Sequence, residues 1–218
     1  MKIKICCISS VAEANLAILH GADVLGLVGP MPSGPGILSP TSIGTIVAAL
    51  PEDITTFYLT SKQSALEIIA EHRLAQTDAI QIVDEVTPET YEQLRDYDGQ
   101  LQLIQVIHVG DHTAIEQAML ASRYVDMILL DSGRPSLQIK ELGGTGRTHD
   151  WRISSKIINS VNIPVWLAGG LRSSNVGEAI QECRPYGVDL CSGVRSEGLL
   201  DPKKLAAFVS TVRETTMA

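Results

Sequence analysis

Three side chains that can exchange protons stand at the ends of short apolar runs in this sequence. Cys6 ends the first run of the chain, His108 ends a run in the middle, and Asp131 ends the run that follows it. Thiol, imidazole and carboxyl groups serve as general acids and bases when their pKa values lie near the working pH. In a barrel of parallel strands these strand ends lie at one face, where the chemistry of such folds gathers.

Glycines follow two further apolar runs near the end of the chain. Gly169 and Gly170 come after one run, and Ser192 and Gly193 come after the next. Glycines let backbone N–H groups approach an anion closely, and hydroxyl groups add further donors. A single Gly-Gly pair would fit an ordinary tight turn. Two such loops on consecutive strands instead favour a phosphate site.

A third glycine cluster, Gly143-Gly144-Thr145-Gly146, lies in the long connection after Asp131. A connection of about twenty residues without a clear element is unusual in a compact domain, and such loops are often active-site lids. A flexible tip without function is the alternative. We interpret the segment as a lid, because it rises from the strand end that carries Asp131, and we assign Gly146 to the phosphate site.

Strand-like and helix-like segments alternate from end to end. The predicted strands are Lys2–Cys6, Val24–Val28, Thr56–Leu59, Ala79–Ile82, Leu103–His108, Met127–Asp131, Val165–Ala168 and Val188–Cys191. The predicted helices are Val11–His20, Pro40–Leu50, Ser64–His72, Pro88–Tyr97, His112–Ser122, Trp151–Ser160, Ser174–Glu182 and Pro202–Glu214. Ser10 with Glu13 forms a capping-box pattern before the first helix, and Gly21 is its expected stop.

Eight βα units of about 27 residues each predict a closed (β/α)8 TIM barrel. An open sheet of the flavodoxin type keeps the same alternation and is the alternative. Neither a long linker nor a second zone of composition divides the 218 residues. We therefore expect one α/β barrel domain over residues 1–218.

The composition excludes several classes of protein. A formal net charge of −8 argues against a general nucleic-acid or membrane-surface binder. Neither a membrane-length apolar run nor a secretion signal is visible, which predicts a cytoplasmic protein. The spacing of Cys6, Cys7, Cys183 and Cys191 fits neither a zinc site nor a disulfide framework. We expect no metal and no cofactor. If Cys6 and Cys7 both lie on a strand, their side chains point to opposite faces.

The order of these segments resembles the phosphoribosylanthranilate isomerase family, the barrel enzymes of tryptophan biosynthesis. The resemblance rests on Lys4-Ile5-Cys6, Leu129-Leu130-Asp131-Ser132, Gly143-Gly144-Thr145-Gly146 with Asp150-Trp151, Leu167-Ala168-Gly169-Gly170-Leu171 with Asn175-Val176, and Val188-Asp189 with Ser192-Gly193-Val194. It spans nearly the whole chain and is more specific in the second half.

The resemblance implies an Amadori rearrangement, in which an aminoaldose phosphate becomes an aminoketose phosphate. In the family, the cysteine that matches Cys6 is the general base and the aspartate that matches Asp131 is the general acid. The acid must stay protonated near neutrality, so we expect burial to raise the pKa of Asp131. The expected partner is a small phosphosugar, with monomer and homodimer both left open.

The chain departs from the family pattern at four places, several of them on the side that holds the aglycone, the N-linked group of the substrate. Cys7 replaces the usual glycine, and Val83 in Gln81-Ile82-Val83-Asp84 replaces a histidine. The segment 32–40 lacks an arginine that helps to hold anthranilate in the family, and Arg195 replaces a glutamate. Loss of a charge-assisted contact to a carboxylate costs about 1.5–3 kcal/mol. Either His108, Arg134 or Arg195 compensates on the aglycone side, or the substrate is a different N-substituted phosphoribosylamine.

These departures leave two alternatives open. A divergent relative could use the same barrel and phosphate site for another phosphosugar reaction, such as an epimerase or a lyase. A catalytically silent phosphosugar-binding protein could share the fold, because fold alone does not determine function. Retention of both Cys6 and Asp131 favours the enzyme, because a silent descendant needs neither residue.

Overall fold

Eight parallel strands close into a barrel in the computed structural model, which describes residues 1–133 and 146–217. The strands pair in chain order, and the eighth pairs with the first. They are β1 (Lys2–Ile5), β2 (Val24–Val28), β3 (Thr55–Thr60), β4 (Ala79–Ile82), β5 (Gln102–His108), β6 (Met127–Asp131), β7 (Val165–Leu167) and β8 (Gly187–Leu190). The prediction of a closed barrel rather than an open sheet is confirmed.

Helices cover the outside of this barrel. They are α1 (Val11–Leu19), α2 (Pro40–Val47), α3 (Ala65–Ala75), α4 (Pro88–Tyr97), α5 (Thr113–Ala121), α6 (Trp151–Ser160), α7 (Val176–Cys183) and α8 (Pro202–Met217). None of the helices within the described ranges is long and apolar enough to cross a membrane. Ser10 caps α1 by accepting a hydrogen bond from the backbone N–H of Glu13 at 3.2 Å. The other half of the predicted capping box differs, because the Glu13 carboxylate accepts from Ser9.

The loop after β8 contains short elements that the sequence did not predict. A 3-10 helix covers Ser192–Val194, and a two-stranded hairpin joins β9 (Arg195–Ser196) to β10 (Leu199–Leu200). Elements of two or three residues are too short to show a hydrophobic period, so sequence patterns do not reveal them.

Both faces of the strands are buried, as expected when helices cover a parallel sheet. Ile3 and Ile5 of β1 belong to the apolar layer between the strands and the helices. A second cluster, which includes Phe57, Leu129 and Trp166, fills the barrel interior. Successive residues of a strand point to opposite faces. The residue between Ile3 and Ile5, Lys4, therefore points into the barrel interior.

Candidate active site

One cavity opens where the barrel strands end, and it is lined by both Cys6 and Asp131. Cys6 follows the last residue of β1, and Asp131 is the last residue of β6. The two side chains come from strands on different sides of the barrel and are 7% and 9% exposed. The predicted convergence of these two residues at one mouth is what the structure shows.

Asp131 is held in a setting that favours its protonated form. Burial is the main cause and raises the pKa of Asp131, while the Ser132 N–H and the nearby His108 act in the opposite direction. The Ser132 N–H donates to Oδ1 of Asp131 at 2.7 Å and fixes the carboxyl group. A carboxyl group that keeps its proton closer to neutral pH can act as a general acid.

Cys6 and Cys7 do not lie on a strand, so the condition under which they were expected to point to opposite faces is not met. Strand β1 ends at Ile5, and Cys7 has φ 62°, in the left-handed region. The alternation of side chains holds only while the backbone stays extended. Both cysteines therefore line the same cavity. A left-handed conformation costs a residue other than glycine about 1–2 kcal/mol.

A buried ion pair lies directly beneath Cys6. Lys4 on β1 is paired in register with Asp189 on β8, and the two side chains meet at 2.9 Å. A Cβ atom added to Gly26 would lie 2.8 Å from Cys6 Sγ and 3.0 Å from Lys4 Nζ. The thiol and the ammonium therefore lie within about 6 Å of each other, where charges interact strongly.

Lys4 stays protonated although its side chain is fully buried. Desolvation is the largest single effect and lowers the pKa of Lys4, but attraction to Asp189 and to Cys6 outweighs it and raises the pKa overall. Burial raises the pKa of Asp189, while Lys4 acts in the opposite direction. A buried ammonium, paired with the Asp189 carboxylate, therefore lies near Cys6 beneath the lining of the cavity.

Replacing Lys4 by methionine, which has a similar length, should lower the free energy of unfolding by about 1–3 kcal/mol, as for a buried polar group left unpaired. The loss should grow with pH. Without Lys4 the folded-state pKa of Asp189 rises further above its unfolded value, so the folded state loses stability as pH rises through that folded pKa. Urea unfolding at several pH values measures both effects.

Lys2→Met on the same strand is the matched control for this experiment. Lys2 is paired with Asp23 at 3.2 Å, and its side chain is 51% exposed. Exposed pairs of this kind contribute about 0–1 kcal/mol. Equal losses in the two variants, or a Lys4→Met loss that does not change with pH, would contradict the importance of the buried pair.

The predicted phosphate residues come together beside this cavity. Gly146, Gly169, Gly170 and Ser192 line it. Gly193 lies directly behind them, because a Cβ atom added there would be 2.0 Å from the carbonyl oxygen of Leu171. The loops after β6, β7 and β8 therefore pack against one another as the sequence predicted.

Position 170 requires glycine for two reasons, its left-handed backbone conformation and the lack of room for a Cβ atom. It has φ 62°, and an added Cβ atom would lie 2.5 Å from the carbonyl carbon of Arg147. Asn175 fixes the same loop, because its side-chain amide donates to the Gly170 carbonyl at 3.1 Å and its Oδ1 accepts from the Arg172 N–H at 2.9 Å. Helix α7 begins at Val176, two residues later than predicted.

Arg195 does not lie where an aglycone contact requires it. Its guanidinium pairs with the Glu13 carboxylate at 2.6 Å and donates to the Cys7 carbonyl oxygen at 2.7 Å. Arg195 is not among the described residues that line the cavity. It instead ties the loop after β8 to α1 and to the segment after β1, so its predicted role on the aglycone side does not fit the structure.

His108 lies beside Asp131 in the register of β5 and β6, yet it lines a second cavity, between α4 and α5. Its Nε2 is hydrogen-bonded to the Val83 carbonyl oxygen at 2.9 Å, and its Nδ1 is buried without a hydrogen-bond partner. The role of His108 on the aglycone side stays a prediction. Arg134 and the glycine cluster up to Thr145 lie outside the described residues.

Two further polar side chains of the cavity were not predicted as site residues. Gln81 and Asp189 are both buried, and one oxygen of each, Gln81 Oε1 and Asp189 Oδ1, has no hydrogen-bond partner. Opposite charges on directly paired barrel strands could have revealed the Lys4–Asp189 pair from sequence.

None of the described residues lining the cavity is a lysine or an arginine. The described residues contain no group of three His, Cys, Asp or Glu side chains placed to hold a metal ion.

Comparison with known proteins decides the family. A sequence model of N-(5'-phosphoribosyl)anthranilate (PRA) isomerase matches residues 3–211 of the chain. The chain belongs to the N-(5'-phosphoribosyl)anthranilate isomerase family. The expectation drawn from the sequence motifs is therefore confirmed.

Individual members of this family match over almost their full lengths. The N-(5'-phosphoribosyl)anthranilate isomerase of Methanocella arvoryzae is 33% identical over 215 residues, which cover 98% of this chain and 99% of that protein. The protein of the same name from Pseudomonas syringae pv. tomato is 36% identical over 217 residues, or 99% and 98% of the two chains. The crystal structure of phosphoribosyl anthranilate isomerase from Thermus thermophilus has a TM-score of 0.83 at 26% identity and covers 98% and 99%.

Proposed function

We propose that this member of the phosphoribosylanthranilate isomerase family converts N-(5'-phosphoribosyl)anthranilate into the corresponding aminoketose phosphate, an aldose–ketose isomerisation in tryptophan biosynthesis. The observation that carries the proposal is the shared cavity of Cys6 and Asp131, flanked by the glycine loops. Proton transfer and phosphate binding are the two requirements of this reaction. A single barrel domain over residues 1–218 is part of the proposal.

Asp131 acts first in the proposed mechanism, as the general acid. Its carboxyl group gives a proton to the ring oxygen of the furanose, and the bond from that oxygen to C1 breaks. The lone pair of the anthranilate nitrogen forms a double bond to C1, which produces a protonated Schiff base. The raised pKa of Asp131 supports this role, because it keeps the proton available closer to neutral pH.

Cys6 acts second, as the general base. The Schiff base withdraws electrons from C2, so the thiolate removes the proton on C2 and leaves an enaminol. The enaminol then tautomerises to the aminoketose. The Lys4 ammonium lies within about 6 Å of the Cys6 sulfur, and its pair with Asp189 holds it there.

The phosphate and sugar are held by groups on the other strands. Backbone N–H groups around Gly170, Ser192 and Gly193 take the phosphate, because no described lysine or arginine lines the cavity. Gln81 and Asp189 line the cavity, and each has a buried side-chain oxygen without a hydrogen-bond partner that we propose accepts from a sugar hydroxyl.

The anthranilate ring is proposed to lie over the apolar part of the lining. Val28, Met31, Val83 and Leu129 supply apolar surface there. We propose that Arg134 binds the carboxylate of anthranilate, because Arg195 is paired with Glu13.

The substrate is a small molecule rather than nucleic acid or membrane. Four free thiols fit the reducing cytoplasm, where we propose that the enzyme works.

A turnover assay with N-(5'-phosphoribosyl)anthranilate tests the reaction, because the fluorescence of the substrate disappears as it is consumed. Loss of fluorescence with formation of the aminoketose supports the proposal. If the compound binds without turning over, a phosphosugar epimerase, a lyase or a silent binding protein becomes the better description.

Gly193→Ala should weaken binding of the phosphosugar about tenfold, which corresponds to one weakened phosphate contact of roughly 1.4 kcal/mol. The added methyl group would lie 2.0 Å from the Leu171 carbonyl oxygen, so the loop after β8 must move. Inhibition of turnover by inorganic phosphate measures the effect. Gly110→Ala is the control, because a Cβ atom at Gly110 meets nothing within 4 Å. Equal phosphate inhibition in both variants would show that the phosphate lies elsewhere.

A further inference from the structure

The side chain of Arg195 belongs to a buried network that reaches the backbone of the proposed base. Its Nη1 pairs with Oε1 of Glu13 at 2.6 Å, and the two side chains are 9% and 11% exposed. Its Nη2 donates to the Cys7 carbonyl oxygen at 2.7 Å and lies 3.5 Å from the Cys6 carbonyl oxygen. One guanidinium therefore contacts both peptide groups that flank the Cys7 Cα atom.

These contacts fall where the backbone leaves β1. Strand pairing holds Cys6 on its N-terminal side, because its N–H donates to the Leu190 carbonyl oxygen at 2.9 Å. On the other side, Cys7 has φ 62°, a left-handed conformation that is unfavourable for a residue other than glycine. Such a conformation persists only where the surrounding structure holds it. The hydrogen bond from Arg195 to the Cys7 carbonyl oxygen is a contact of that kind.

Glu13 fixes the guanidinium from the side of α1. Its carboxylate also accepts from the Ser9 N–H at 3.0 Å, the Ser9 hydroxyl at 2.9 Å and the Leu200 N–H at 3.2 Å. Burial raises the pKa of Glu13, but the hydrogen bonds from Arg195 and Ser9 outweigh it and lower the pKa overall. The carboxylate therefore stays charged, and hydrogen bonds between charged groups are the short and strong ones.

The backbone of Arg195 is held independently of its side chain. Arg195 directly follows the 3-10 helix that contains Ser192, and it pairs with Leu200 in the short hairpin. Its carbonyl oxygen accepts from Lys204 Nζ at 2.7 Å. The phosphate loop therefore keeps its own backbone contacts when the guanidinium is removed. A change in this side chain should act on the segment after β1 rather than on the phosphate site.

We propose that Arg195 is a positioning residue for the isomerisation: together with Glu13 it holds the backbone after β1 so that the Cys6 thiol faces the C2 proton of the substrate. This role rests on the proposed function, in which Cys6 is the general base. The hold of Arg195 on the backbone of residues 6–10 does not depend on that function. A misplacement of about 1 Å at a reacting group can cost about 10²-fold in rate.

Arg195→Gln tests the proposal, because it removes the charge and the paired donors. With N-(5'-phosphoribosyl)anthranilate, kcat should fall about 10–100-fold while KM stays nearly unchanged. Arg195→Lys should recover part of the loss, because it keeps the charge but lacks the planar group that reaches Glu13 and the Cys7 carbonyl oxygen together. If Arg195→Gln does not fold, Glu13→Gln/Arg195→Gln leaves no unpaired buried charge and should show the same fall in kcat.

Arg95→Gln is the matched control, because Arg95 makes the same kind of contacts at the other end of the barrel. Its guanidinium pairs with Asp126, the residue before β6, at 2.7 Å and donates to the Leu101 carbonyl oxygen at 2.8 Å. Urea unfolding should show a loss of stability in Arg95→Gln, whereas its kcat should match the parent. Equal falls in kcat in the two variants, or parent kcat in folded Arg195→Gln, would overturn the inference.

Amide hydrogen exchange gives a result that does not need turnover. Exchange in residues 6–10 should be faster in Arg195→Gln than in the parent and unchanged in Arg95→Gln, because local opening follows the loss of local contacts. Unchanged exchange in Arg195→Gln would overturn the positioning role even if kcat falls. If the parent does not turn over but exchange responds to Arg195→Gln, the proposed function fails while the hold of Arg195 on this segment stands.

Discussion

Asp131→Asn should lower kcat about 10²–10⁴-fold and leave KM for the phosphosugar nearly unchanged. Asparagine has almost the same shape but cannot deliver the proton that opens the furanose ring. The phosphate is held by loops on other strands, so binding should persist. A fall in kcat without a change in affinity is the signature of an interaction made only in the transition state. Steady-state turnover with N-(5'-phosphoribosyl)anthranilate measures it.

The pH profile adds a second criterion for Asp131. A general acid works only while protonated, so kcat of the parent enzyme should fall as pH rises above the raised pKa of Asp131. The residual activity of Asp131→Asn should lack this alkaline limb. Asp53→Asn removes the same charge at an exposed position just before β3 and should change neither kcat nor the profile. Wild-type turnover in Asp131→Asn would remove Asp131 from the mechanism.

Stability separates lost chemistry from lost structure in this variant. Asp131 has a folded-state pKa above its ordinary value, so the folded protein loses stability from this group as pH rises through that pKa. Asparagine carries no charge to bury, so Asp131→Asn should be at least as stable as the parent at alkaline pH. Urea unfolding of both proteins at neutral and alkaline pH measures the difference. An inactive variant that is also unfolded would leave the acid unassigned.

The barrel could be predicted from sequence because each strand and helix carries its own local signal. The predicted bounds of β2, β4 and β6 and of α4 and α6 match the structure. Pro88 at the start of α4 is a strong local signal, because proline is favoured in the first turn of a helix. Chain order then determines the neighbours, since every βα unit pairs with the next.

The parts of the site that could not be predicted depend on contacts between distant residues. Glu13 and Arg195 lie 182 positions apart, and only the closed barrel brings them together. Nothing in the sequence around Arg195 indicates its contact with Glu13. Arg195 was therefore expected to bind a carboxylate of the substrate. Cys7 was misplaced for a local reason, because the end of β1 and the left-handed turn after it fall within two residues.

Cys6→Ser should lower kcat about 10²–10⁴-fold, with a small effect on KM. Serine is nearly the same size as cysteine, but its hydroxyl is a far poorer base than a thiolate. The C2 proton would then lose the base that we assign to it. Turnover and substrate affinity, measured on the same preparation under reducing conditions, separate this loss of base from a loss of binding.

The matched control for Cys6→Ser is Cys183→Ser. Cys183 is buried on α7, away from the cavity, and a serine there can keep the hydrogen bond to the Trp151 carbonyl oxygen. Cys7→Ser is not a neutral comparison, because Cys7 lines the same cavity as Cys6. Its result is still decisive for the assignment of the base. If Cys7→Ser abolishes turnover while Cys6→Ser retains it, Cys7, with its left-handed backbone, takes the C2 proton, and the assignment of Cys6 as the general base is wrong.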